Sequence, residues 1–169
     1  MKKLLLITLV LISSSVVFAQ EMTRKEKKAA RKAEQLEKTK VLVGSDAWQF
    51  DASQMMPTTG KSRSLTTSYN IVVKGNELNS YLPYVGRAYR ADYGSTESPL
   101  IFKGEITEYK VEPGKKKGWN ISFKTKNKND ILRYTLYVTE SGSSTLNVNS
   151  NDRQPISFHG NLVEIEQEK

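Results

Sequence analysis

The stretch from Tyr81 to Tyr93 holds four tyrosines and two arginines: Tyr81, Tyr84, Arg87, Tyr89, Arg90 and Tyr93. Both residue types present flat apolar area that ends in a polar group, the combination that recognises sugars, anions and protein hot spots. A further arginine, Arg153, stands in a turn-rich stretch just before the last apolar run. Tyr84, Arg87, Tyr89, Arg90, Tyr93 and Arg153 are therefore the candidate ligand-binding set. The competing structural role has Tyr89 and Tyr81 packing inward while the others shield a sheet edge.

Other chemistry is thinly represented. The chain has one histidine, His159, and no cysteine. One His without Cys does not build an ordinary zinc site, and thiol catalysis, disulfides and thiolate metal sites are excluded together. Ser157 shares a strand face with His159 but lacks the sharp turn that exposes a catalytic serine. Asn147, Asn149, Asn151 and Asp152 resemble an oxygen-rich calcium loop only superficially, because the spaced carboxylates and the distal Glu are missing. Gly114 and Gly118 enclose three lysines that could cradle a phosphate, yet lysines at a hairpin tip are usually just solvated. An enzyme of unfamiliar design would have to use Tyr, Arg and acids such as Glu105 and Glu108. The expectation is a non-enzymatic protein with no metal and no cofactor.

These residues sit in a chain that opens as an export signal does. Lys2 and Lys3 precede an apolar run from Leu4 that ends in Val17-Phe18-Ala19, and the run is too short to span a bilayer. Residues 1–19 are read as a cleaved signal peptide, with the mature chain starting at Gln20 and located in the periplasm or secreted. A lipid anchor of the bacterial cysteine type is excluded by composition.

The formal charge of +8 is unevenly placed. Residues 23–40 carry eight basic side chains against three acids, whereas residues 41–169 are nearly balanced, with 16 against 14. Residues 20–40 are predicted to form a short basic helix, opened by a Thr23-x-x-Glu26 capping box. Its apolar stripe, Met22, Ala29, Ala33 and Leu36, is thin, so the segment is expected to add little to folding. It could serve as a solvated spacer or as a tether to anionic membrane or polysaccharide. Nucleic acid is not expected as a partner, since no nucleic-acid-binding signature follows.

Residues 41–169 are read as one β domain. Trp48 and Phe50, then Ile71 and Val73, alternate with polar residues. Trp119, Ile121 and Phe123, and after them Leu132, Tyr134, Leu136 and Val138, give the clearest period-two runs. Leu146 and Val148, then Ile156, Phe158 and Leu162, continue the pattern. Connections of hairpin length around residues 113–118, 127–130, 140–144 and 149–154 imply antiparallel neighbours. The predicted fold is mainly β: a five-strand meander from Leu100 onward joins two or three earlier strands and closes into a small barrel or sandwich, a lipocalin-like barrel being one option. Residues 76–84 are predicted as a short helix or turn, because Leu78, Tyr81 and Leu82 fall at helical spacing before Pro83.

Four blocks in one order carry a resemblance: Met55-Met56-Pro57, Leu82-Pro83-Tyr84-Val85-Gly86-Arg87-Ala88-Tyr89, Leu100-Ile101-Phe102-Lys103-Gly104, and Asn151-Asp152-Arg153-Gln154-Pro155-Ile156-Ser157-Phe158-His159-Gly160. Together they resemble the domain-of-unknown-function 4251 family of Bacteroidetes exported proteins, over about residues 48–162. The resemblance implies export and a compact β domain; it brings no activity and no catalytic residues. The expectation is an exported binding module whose partner is a small molecule, a glycan or an envelope protein. Its alternatives are an envelope-associated structural protein tethered by the basic helix, and a lipocalin-like carrier of an apolar molecule.

Overall fold

The structure, a computed structural model, describes residues 24–90, 98–114 and 117–165. Among the described residues, one helix, α1 (Arg24–Gly44), precedes eight strands: β1 (Ala47–Pro57), β2 (Arg63–Lys74), β3 (Glu77–Tyr81), β4 (Ile101–Pro113), β5 (Gly118–Asn127), β6 (Asp130–Thr139), β7 (Ser143–Ser150) and β8 (Ile156–Val163). Each strand pairs antiparallel with the next, and β8 returns to pair with β1, so the sheet is a closed barrel rather than a sandwich. Closure satisfies the edge groups that an open sheet would leave unpaired.

Alternation decides which side chains fill the barrel. In β6, Leu132, Tyr134, Leu136 and Val138 are buried, while the residues between them are more exposed. Trp48 and Phe50 of β1, Ile71 and Val73 of β2, Ile121 and Phe123 of β5, and Leu146 and Val148 of β7 complete the same interior. Its centre is aromatic. The Phe123 and Tyr134 rings stack 5.0 Å apart at 7°, Tyr109 and Trp48 each lie 6.3 Å from Phe123, and Trp48 Nε1 donates to Tyr109 Oη at 3.0 Å. A small residue is required where β8 crosses β1. A Cβ on Gly160 would run into the Asp51 carbonyl and sit 2.9 Å from the Phe50 ring.

Two expectations about elements are corrected. Residues 76–84 hold the strand β3, not a helix or turn: Leu78 pairs with Val73 on one side and Gly104 on the other, and Leu78 and Ser80 point inward at period two. Pairing on both flanks overrides the local helical spacing. Asn147 and Asn149, weighed above with Asn151 and Asp152 as a loop, lie in the strand β7, where Asn147 Oδ1 accepts from Ser157 Oγ at 2.7 Å.

The helix also runs further than residue 40. The chain divides after Ala33 into two compact units. Residues 24–33 are fully exposed helix rich in Lys and Arg. Within the second unit, Leu36 is half-buried and Thr39 and Val43 are buried, at the i, i+3, i+7 spacing of one helix face. That face meets the barrel end where the β6–β7 turn lies, since the site of a Cβ on Gly142 is 3.4 Å from Gln35 Nε2 and 3.5 Å from Thr39 Oγ1. Residues 1–19, read as a signal peptide, and Thr23 of the expected capping box lie outside the described residues. Among those described, no helix is long and apolar enough to cross a membrane.

Candidate functional site

The up-and-down order sends four connections to the barrel end opposite the helix: the β1–β2, β3–β4, β5–β6 and β7–β8 links. Three of them build a cavity. The long β3–β4 connection is anchored at both ends, because Leu82 and Leu100 are buried, Leu82 N donates to the Leu100 carbonyl at 3.2 Å, and Ser98 Oγ donates to the Leu82 carbonyl at 2.7 Å. Between these anchors, residues 84–90 fold back along the β7–β8 loop. Gln154 N donates to the Arg87 carbonyl at 3.0 Å, Arg87 N donates to Gln154 Oε1 at 3.1 Å, Tyr89 N donates to the Asp152 carbonyl at 2.7 Å, and Ala88 and Arg153 form an antiparallel bridge.

Tyr84 is the clasp of this strap. Its hydroxyl donates to the Gln154 carbonyl at 3.0 Å and approaches the Arg87 carbonyl at 3.3 Å, and the ring lies under Gly86, where a Cβ would come within 2.6 Å of the hydroxyl. Burial pushes the phenol's pKa up, and the nearby Arg153 guanidinium works against that shift. The Arg153 guanidinium carbon is 6.0 Å from the Tyr84 ring centre, within cation–π range.

The cavity has a volume of about 400 Å³, within the range of small-molecule sites, about 300–1,000 Å³. Arg90 and Arg153 line one side, Ser98, Pro99 and Ile101 a second, and the β5–β6 turn with Asn127, Lys128, Asn129 and Asp130 a third; Asn151 and Asp152 close it. Internal hydrogen bonds hold the walls. Asn127 Nδ2 donates to the Pro99 carbonyl at 2.9 Å, and the Asp130 carboxylate accepts from Ser150 Oγ at 2.6 Å and Asn151 N at 3.2 Å. Asp130 is thus spent on the wall, whereas Arg153 Nε is buried without a hydrogen-bond partner.

The sequence-derived residues distribute as follows. Arg90 and Arg153 line the cavity, and Tyr84 sits behind Arg153. Arg87 is exposed and does not line it; its backbone ties the strap. Tyr89 is 64% exposed and Tyr81 is 42% exposed, so neither packs inward. Tyr93 lies outside the described residues, as do two of the three hairpin-tip lysines, Lys115 and Lys116. Val85 packs partly against the core. Sequence reasoning missed the β5–β6 turn as a wall, although its run of Asn127, Lys128, Asn129 and Asp130 was visible as a polar hairpin.

Residues considered for catalysis lie elsewhere. His159 is exposed and its Nδ1 is 2.9 Å from Thr145 Oγ1. Glu108 pairs with Lys124 at 2.6 Å, which holds its carboxyl below the usual carboxylate range, and neither Glu105 nor Glu108 lines the cavity. No cluster of three metal-ligating side chains exists among the described residues. A second hollow, about 480 Å³, lies on the outer face of β2–β4 between Lys74, Glu77, Lys103 and Glu105. It is larger, but it is bounded by one sheet face with opposed charges rather than by three converging loops.

No curated protein matches the chain. Among solved structures, it is similar to a DUF4251 family protein from Bacteroides eggerthii DSM 20697, whose crystal structure was determined at 1.95 Å; the TM-score is 0.59 at 17% identity, covering 80% of this chain and 91% of that one. That likeness carries the fold. The family model described as Domain of unknown function (DUF4251) matches residues 30–162, nearly the whole barrel and the docked half of its helix, and the chain belongs to that family.

Proposed function

We propose that this protein is an exported, non-enzymatic binding module that holds a small polar ligand in the cavity between the strap, the β5–β6 turn and the β7–β8 loop. The observation that carries the reading is the pair of arginines lining the cavity, Arg153 and Arg90, with the Arg153 guanidinium backed by the Tyr84 ring. Among the described residues neither Arg153 nor Arg90 makes an ion pair, and each presents a planar donor fork suited to an acidic or hydroxylated group. Carriage of an apolar molecule inside the barrel is less well supported, because Trp48, Phe50, Phe123, Tyr134 and Phe158 fill the interior. The leader at residues 1–19 supports a periplasmic or secreted location.

The test is equilibrium dialysis of the mature chain against the low-molecular-weight fraction of an envelope extract, followed by native mass spectrometry. A bound mass that is lost in both Arg90→Gln and Arg153→Gln, with circular dichroism unchanged, is the expected result. No bound mass, or equal retention by a folded Arg90→Gln variant, overturns the reading.

A second role has its own observation. Residues 24–33 are exposed throughout and carry Arg24, Lys25, Lys27, Lys28, Arg31 and Lys32, which suits peripheral attachment to anionic membrane or polysaccharide. Binding to vesicles containing anionic lipid should then fall steeply as salt rises. Binding that ignores salt, or none at all, removes the tether.

A further inference from the structure

We infer that the ligand of this cavity is a carbohydrate bearing a carboxylate, a uronic-acid oligosaccharide, bound with its acid on the arginines and its next ring on a tyrosine platform outside. The inference rests on the cavity reading above and names the ligand class. Three observations converge on it.

Arg153 and Arg90 supply positive charge in planar forks that match a carboxylate, and with Lys128 the cations of the lining outnumber its two carboxylates, Asp130 and Asp152, the first of which is also engaged by Ser150 and Asn151. Elsewhere in the lining, Asn129, Asn151 and Asp152 together offer both donors and acceptors. Hydroxyl groups need both at once, and a bare phosphate needs only donors.

The third observation lies just outside. Ile101 lines the cavity, and it stands directly opposite Tyr81 across the β3–β4 ladder, so the two side chains share one face. Tyr81 is 42% exposed and stacks on Tyr69 with ring centres 5.4 Å apart at 25°. The stacked tyrosine pair thus stands one ladder position from Ile101 of the cavity lining. The apolar face of a sugar ring packs on such a surface while its hydroxyls stay wet. A peptide held by strand addition at the platform is disfavoured, since β3 is paired along its whole length with β2 on one side and β4 on the other.

The experiment is calorimetric titration of the mature protein with a panel of uronic-acid di- and trisaccharides, their monomers and the corresponding neutral oligosaccharides. Wild type should bind at least one uronate oligomer and bind its neutral counterpart about tenfold more weakly or worse. Tyr81→Ala should weaken the oligomer about tenfold and leave the monomer unchanged, while Arg90→Gln should weaken both. Arg90 is chosen beside Arg153 because it is exposed, so the variant folds whether or not Arg153→Gln does. Equal binding of neutral and acidic sugars overturns the acid assignment, and indifference to Tyr81→Ala overturns the platform. Binding of no sugar in the panel overturns the inference as a whole; an arginine-dependent mass from the envelope extract would in that case leave the cavity reading standing.

Discussion

Two glycines show how much of the site is decided by single atoms. Gly160 allows β8 to lie against β1 where the Asp51 carbonyl and the Phe50 ring leave no room for a Cβ, and Gly86 leaves room for the Tyr84 ring beneath the strap. Gly160→Ala should cost about 1–3 kcal/mol in a urea melt, because the obstacle is backbone and cannot rotate away. An unchanged midpoint would mean that the β1–β8 crossing is looser than described. Gly86→Ala meets a side chain instead, so the expected effect is local: Tyr84 is displaced, Arg153 loses the ring behind it, and ligand affinity falls more than stability. Tyr84→Phe should reproduce part of that loss, since it removes the hydroxyl that clasps Gln154 and keeps the ring. A Tyr84→Phe variant that binds as well as wild type would show that the clasp does not position Arg153. None of this was readable from the sequence, where Gly86 is one glycine in a Tyr/Arg-rich stretch and the Tyr84 ring that crowds it is held in place by Gln154, far along the chain.

At the level of elements, the strands were legible where both flanks and both faces agree. Trp119 to Phe123 and Leu132 to Val138 alternate cleanly, and they became β5 and β6. β3 was misread because its five residues carry too few alternations to outweigh a coincidental helical spacing, and its identity comes from pairing with β2 and β4. The helix was misjudged differently. Its apolar face was sought among residues up to 40, where only Leu36 is available, but the face that docks is Leu36, Thr39 and Val43 and lies at the carboxy-terminal end. Thr39 supports this by turning its own hydroxyl onto the Gln35 carbonyl at 2.8 Å, which satisfies it as it is buried. Removing residues 20–33 should therefore change stability by less than about 1 kcal/mol. Val43→Ala should cost about 2 kcal/mol, the transfer of two methyl groups plus the space they leave. Equal effects from the two changes would show that the helix end does not belong to the core.

For the whole molecule, the barrel's closure and its packed interior set how it responds to pH. Alternation announced a curled antiparallel sheet, but barrel and sandwich share the same alternation, and only the β8–β1 ladder separates them. The interior then places Tyr134 fully inside, where burial pushes the phenol's pKa far above the ordinary tyrosine range. Among the described residues its hydroxyl has one hydrogen-bonding neighbour, Ser80 Oγ at 3.5 Å, and Ser80 already donates to the Leu100 carbonyl at 2.7 Å. The folded chain thus holds the Tyr134 proton more tightly than the unfolded chain does. Below about pH 10 both forms are protonated and the full stability is present; above it the unfolded chain releases its proton while the folded one does not, so stability falls as pH rises toward the folded value. Tyr109, also raised by burial, adds to the same slope. Tyr134→Phe should be nearly neutral at pH 7, because the hydrogen bond it loses is at the limit of length, and the Phe ring keeps the 5.0 Å stack on Phe123. Between about pH 10 and pH 11.5 the variant's urea midpoint should decline less than that of wild type. Parallel declines would mean that Tyr134 reaches solvent, and with it that the centre of the barrel is open rather than filled.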